Sequence, residues 1–142
     1  TITEVLKLID SKILLDIEIK NTKQVKKTCE VLINNLKNYH NFILKSFNPK
    51  IIRYLKKHYP HLEVGFLITN NYENFLYKKL LTSKFIQKYS HPDFLAIDKA
   101  LLNNKRFMHQ NKNKKLLIWT IKSKDELTNT DYTYICNNLP FK

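Results

Sequence analysis

The chain has 142 residues and one glycine, Gly65. Phosphate-cradling loops of the dinucleotide-binding and P-loop kinds need several glycines at fixed spacing after a strand, so both are excluded. Two cysteines, Cys29 and Cys136, are too few for a disulfide framework and too far apart for zinc-ligand spacing. Both read as small buried hydrophobes, and a reducing, cytoplasmic or otherwise intracellular setting is expected. No apolar run approaches the roughly 18 residues a membrane span needs. No basic segment followed by an apolar one stands at the start, so a signal peptide is not expected. Acidic residues are scarce: 12 Asp and Glu stand against 25 Lys and Arg, a net charge of +13. Such a surface attracts phosphate, nucleic acid or anionic lipid. The lysines are spread along the whole chain together with abundant Asn and Ile, as AT-rich coding produces. The aromatic residues do not interleave with them in an RNA-binding signature. No nucleic-acid partner is expected, and a nucleic-acid-binding protein argued from charge alone stands as a rival.

What is present is a hydrophobic fraction of 43%, enough for the core of one domain. Thr1 to Ile9 reads as a short amphipathic helix. Ile13 to Lys20 is β-branched and short, a strand. Thr22 to Lys37 places Val25, Cys29, Leu32, Ile33 and Leu36 on one helical face, with Thr22 as N-cap. Asn41 to Phe47 is a second strand. Asn48-Pro49 opens a helix through His58, with Asn48 as cap and Pro49 at the first helical position. Glu63 to Ile68 is a third strand. Asn71 to Leu81 is expected to be a helix with Phe75, Leu76 and Leu80 inward. Lys84 to Tyr89 is expected as a fourth strand and Ile97 to Gln110 as a helix with Ile97, Leu101 and Met108 on one side. Lys115 to Ile121 is a fifth strand, Lys124 to Asn129 a short helix, and Tyr132 to Cys136 a sixth strand.

Strands alternating with helices imply parallel pairing through crossover connections. The expected fold is α/β, a partial TIM (β/α)8 barrel forming one domain over residues 1–142. Six strands do not close an eight-stranded barrel. Because Thr1 falls inside a helical pattern, the two remaining strands are expected upstream.

Side chains alternate across a strand, so Asp16, Glu18 and Lys20 share one face, above Leu14, while Leu15, Ile17 and Ile19 share the other. In a barrel strand the first set faces the interior, where charges persist only if paired or bound to metal. They also lie toward the C-terminal end of the strand, where barrel enzymes build their sites. The spacing fits an internal Glu18–Lys20 or Asp16–Lys20 ion pair equally well.

The segment LLDIEIK (residues 14–20) resembles the L-x-I-E-I-K strand of glycerophosphodiester phosphodiesterases. Further segments match in order. Ser46 to Pro49 is similar to the family's S-F-N-P loop and Arg53 to Pro60 to its L-K-x-x-x-P helix end. Val64 to Leu67 is similar to its V-G-x-L strand, and His91-Pro92 to the H-P that follows the next strand. Leu117 to Ile121 is similar to V-x-W-T-V, and Ile135 to Pro140 to the closing I-T-[DN]-x-P. The resemblance covers nearly the whole chain.

The resemblance implies a barrel of the phospholipase C-like phosphodiesterase type and a divalent cation, calcium or magnesium. The reaction implied is hydrolysis of a glycerophosphodiester substrate to glycerol 3-phosphate and an alcohol. Residue by residue, it implies Glu18 as a metal ligand and Lys20 as a phosphate contact. It also implies Trp119 and Phe47 as residues lining the pocket mouth, and His91 as a residue near its rim. Asp16, at a position where the family often has Asn, is implied as a supporting or ion-pairing residue. A hard cation prefers carboxylate oxygens, and a metal with a lysine can neutralise charge developing on phosphorus.

The family's H-R-G, E-x-D and H-D segments, which carry its histidines and further metal ligands, have no counterpart here. None of His40, His58, His61, His91 and His109 occupies such a context, so no catalytic residue is assigned and these residues alone are expected to be inactive. Lys45 replaces the first Ser of the family's S-S-F, Lys122 its Asn or Asp after W-T, and Cys136 its closing Thr. Two alternatives remain. One is a catalytically dead truncated barrel that serves as a binding or scaffold module and oligomerises through exposed strand edges. The other is a phospholipase D-like relative in the same superfamily.

Overall fold

Apolar segments of four to seven residues pair into a single parallel sheet, strand after strand in chain order. The strands are β1 (Leu15–Glu18), β2 (Phe42–Ser46), β3 (Val64–Ile68), β4 (Phe94–Asp98), β5 (Lys115–Ile121) and β6 (Thr133–Cys136). The computed structural model describes residues 2–9, 13–71, 79–127 and 132–136. Helices α1 (Ile2–Ile9), α2 (Val25–Leu36), α3 (Pro49–His58), α4 (Lys84–Ser90) and α5 (Lys105–Gln110) fill the connections. Two 3-10 turns, Lys99–Asn103 and Lys124–Glu126, complete them. Sequential parallel order with crossovers of one hand puts the helices on one side and curls the sheet into a half-barrel.

The two faces of the sheet hold different cores. Outward, Ile19, Leu44, Val64, Phe66, Ile68, Leu95, Ile97 and Ile118 pack against Cys29 and Leu36 of α2 and Ile51, Ile52 and Leu55 of α3. Burial, aided by neighbouring Glu30, pushes the Cys29 thiol up to about 11. Inward, Leu67, Phe94, Ala96 and Leu117 form a smaller cluster, with Ile43, Phe47, Trp119 and Ile135 at its margin. Ile118 and Ile121 are three residues apart and both face the helices. Strict alternation forbids that, and the β5–β6 ladder accordingly shifts register between them.

The expected cap at Asn48 is present: its Oδ1 accepts from Lys50 N at 2.9 Å, with Pro49 at the first helical position. Thr22 is not a helix cap. Its Oγ1 accepts from Gln24 N at 3.0 Å in a turn that precedes α2, which starts at Val25. Residues 79–81 are helical, and Leu80 is 47% exposed rather than inward. Phe75 and Leu76 lie outside the described residues.

Among the described residues there are six strands, as expected, but the fourth lies elsewhere. Lys84–Ser90 is helix α4, begun by Ser83, whose Oγ accepts from Ile86 N at 3.4 Å, and ended by His91 at a φ of 54°. Its Ile86, Gln87 and Ser90 are buried, a helical spacing. The strand is Phe94–Asp98, buried along nearly its whole length. A run apolar on both faces has no period, so the pattern does not separate it from a helix start.

Candidate active site

The site grows from the inward positions of the ladder. Glu18, Lys45, Gly65, Phe94 and Lys115 are successive Cα partners, one row across β1 to β5. Because the strands are staggered, Glu18 sits at the C-terminal end of β1 while Lys115 begins β5. The C-terminal ends of the strands therefore gather Glu18, Phe47, Thr69, Asp98 and Trp119 at one outlet. Chain direction dictates this, since every strand of a parallel sheet points the same way.

Glu18 is 29% exposed and accepts from Lys20 Nζ at 2.8 Å; Lys20 itself is 82% exposed. The Glu18–Lys20 ion pair allowed by the spacing is thus present, and at such exposure it contributes about 0–1 kcal/mol. Asp16 pairs not with Lys20 but with Lys45 Nζ on the neighbouring strand. Beside them Ser46 Oγ, fully buried, donates to Ile19 O at 2.7 Å and accepts from Asn48 N, tying the end of β1 to that of β2.

Phe47 and Trp119 meet edge to face, with ring centroids 6.1 Å apart and an interplanar angle of 87°. The Trp119 indole N–H is buried and has no partner among the described residues. Asp98 is the Cα partner of Trp119. Its carboxylate caps the following turn through Ala100 N at 2.9 Å and accepts from Thr69 Oγ1 at 3.3 Å. Lys99 then reaches Glu126 at 2.7 Å, clasping the segments that leave β4 and β5. That bond, with the Lys122 N–H, holds the Glu126 carboxyl below its ordinary range.

The structure brings Glu18, Lys20, Phe47 and Trp119 to one end of the sheet. It does not bring His91 there. The expected H-P after a strand is an H-P before one, because residues 84–90 form α4; His91 therefore lies at the opposite end. There it lines a groove of about 650 Å³ with Lys88, His109, Lys112 and Lys114. His40, His58 and His61 also precede strands and share that far end. Sequence reasoning missed Asp98, which was placed inside a helix. The signal available was the apolar run Phe94 to Ile97 behind the Pro92-Asp93 turn.

Among the described residues no group of three His, Cys, Asp or Glu could hold a metal ion. Glu18 and Asp16 each carry a lysine, and Asp98 is spent on a cap. Hard divalent cations need several oxygen ligands, so these residues alone do not fit one.

A curled parallel sheet with helices outside and a polar, aromatic-lined outlet defines a (β/α)8-type barrel domain, here six strands of it. The chain belongs to the glycerophosphoryl diester phosphodiesterase family, whose model matches residues 1–139. Solved structures agree in fold. A glycerophosphodiester phosphodiesterase from Thermotoga maritima is 17% identical, covering 96% of this chain and 59% of that one, with a TM-score of 0.70. One from Parabacteroides distasonis is 18% identical, covering 99% and 60%, with a TM-score of 0.72. An Oleispira antarctica phosphodiesterase in complex with the product sn-glycerol-3-phosphate is 16% identical, covering 96% and 56%, with a TM-score of 0.72. The chain thus spans less than two thirds of the length of these solved relatives. No curated protein matches it. No helix among the described residues is long and apolar enough to cross a membrane.

Proposed function

We propose that residues 1–142 form part of a phosphoric diester hydrolase that cleaves glycerophosphodiesters to sn-glycerol 3-phosphate and an alcohol. The observation that carries this reading is the convergence of Glu18, Lys20, Phe47 and Trp119 at the outlet of a half-barrel from this family. Lysine ammonium groups supply positive charge to a phosphodiester, the aromatic corner gives its alcohol moieties an apolar wall, and the unspent Trp119 N–H offers a donor to an acceptor oxygen. The family's divalent cation, calcium or magnesium, enters as the proposal that Glu18 gives one oxygen ligand and the intact domain gives the others. Lys20 is proposed as a phosphate contact. His91 is not retained as a substrate contact, because it lies at the far end of the sheet. The two free cysteines support an intracellular setting.

With every described histidine away from the outlet, residues 1–142 alone are proposed to have no turnover. In the intact domain, Glu18→Gln is expected to lower hydrolysis of glycerophosphocholine about a hundredfold or more. Full activity in that variant would refute the role of Glu18. Release of phosphocholine in place of glycerol 3-phosphate would instead point to a different cleaved bond and a different substrate class.

A further inference from the structure

The lysine assigned to phosphate by resemblance is Lys20, yet a second lysine is better placed to hold one. Lys45 lies next to Glu18 across the ladder, on the inward face, and its side chain is only 11% exposed. Lysine is rarely buried unless paired, and here Asp16 supplies the partner. The two residues depart together from the resemblance pattern, Lys45 where it has Ser and Asp16 where it often has Asn. An acid and a base on adjacent strands compensate each other's burial.

We infer that Lys45 is an internal phosphate-binding ammonium, held in position by Asp16, that meets an anionic phosphoryl oxygen without a divalent cation. This deepens the proposed function and rests on it. An ammonium has three donors, and Asp16 takes one of them among the described residues. The remaining donors can serve an oxygen of the ligand without breaking the pair. Lys20 must give up solvent and rotamer freedom to do the same, because its side chain is 82% exposed. Lys45 has already lost both on folding, so binding costs it less. The next position in the row is Gly65, where Phe94 fills the space a side chain would take. Asp16 and Glu18, the two carboxylates of β1, are each neutralised by a lysine of the chain itself. In the metal-free state these pairs balance the local carboxylate charge, so an entering phosphate meets no net negative field from β1.

The test is titration of inorganic phosphate into the intact protein by calorimetry, first in EDTA and then with magnesium or calcium. In EDTA the wild type is expected to bind, and Lys45→Met to bind at least about tenfold more weakly. Lys20→Met is expected to lose less than Lys45→Met. Asp16→Asn/Lys45→Met removes both charges, so it carries the test if the single variant fails to fold, and it is expected to remain weak. Recovery of affinity in that double variant would mean that the single variant suffered from a stranded Asp16, and would overturn the inference. Equal affinity of Lys45→Met and wild type would overturn it while leaving the proposed function standing, as would wild-type binding that appears only with metal. An absence of phosphate binding under every condition would sink the proposed function as well.

Discussion

Gly65 sits on the inward face of β3, and a Cβ built there would lie 2.2 Å from Phe94 Cε2. The Phe94 ring is 1% exposed and is packed in the inner cluster, so it has little room to yield. The chain's one glycine is therefore a packing requirement rather than a turn. Gly65→Ala is expected to destabilise the fold by about 1–3 kcal/mol. Urea unfolding would read this as a lower midpoint at unchanged slope, and an unchanged midpoint would contradict it. At this scale the shared face of Asp16, Glu18 and Lys20 was legible, because side chains alternate along an extended segment. The Asp16–Lys45 pair was not legible. It depends on which strand lies next and in what register, and those two residues are 29 apart in sequence.

At the scale of elements, local chemistry sets the boundaries where a side chain closes a helix end. Asn48 satisfies Lys50 N and donates its own amide to Asn21 Oδ1 at 2.7 Å, joining α3 to the end of β1. Asn48→Ala is expected to cost about 1 kcal/mol. Thr22→Ala should change stability by less than about 0.5 kcal/mol, because Thr22 caps no helix: its Oγ1 accepts from Gln24 N in a turn and, at a long 3.5 Å, from Thr28 Oγ1. Chemical denaturation of the two variants side by side decides the point, and equal losses would count against it. Another knot was invisible from sequence. Lys56 Nζ donates to Pro60 O, Leu62 O and Asp93 Oδ2, and the same Asp93 oxygen accepts from Val64 N. This binds the end of α3 to the starts of β3 and β4. The swap of helix and strand between residues 84 and 98 arose because a buried strand shows no alternation and Lys84 to Tyr89 is too short to display a helical period by itself.

For the whole molecule, direction matters more than identity. Each histidine precedes a strand or closes a helix that precedes one, so the parallel sheet sends all five to the end remote from Glu18. The basic groove around His91 and His109 belongs to that end too. The sheet also has two terminal strands, β1 and β6, each paired on one side only among the described residues. Residues 1–142 on their own are expected to self-associate through these edges. Sedimentation velocity at rising concentration should show a growing sedimentation coefficient, and one monomer boundary at all concentrations would refute this.

The sequence by itself determined the class of fold, five of the six strands found among the described residues, and the face on which Glu18 lies. These follow from periodicity and from caps, which act over a few residues. Only the tertiary structure decided which charges meet across strands, that Asp98 and Trp119 share the outlet, and that His91 does not. Such choices are made by register and chain direction over tens of residues, where hydrophobic burial of the outer face picks one pairing and carries the inner side chains with it.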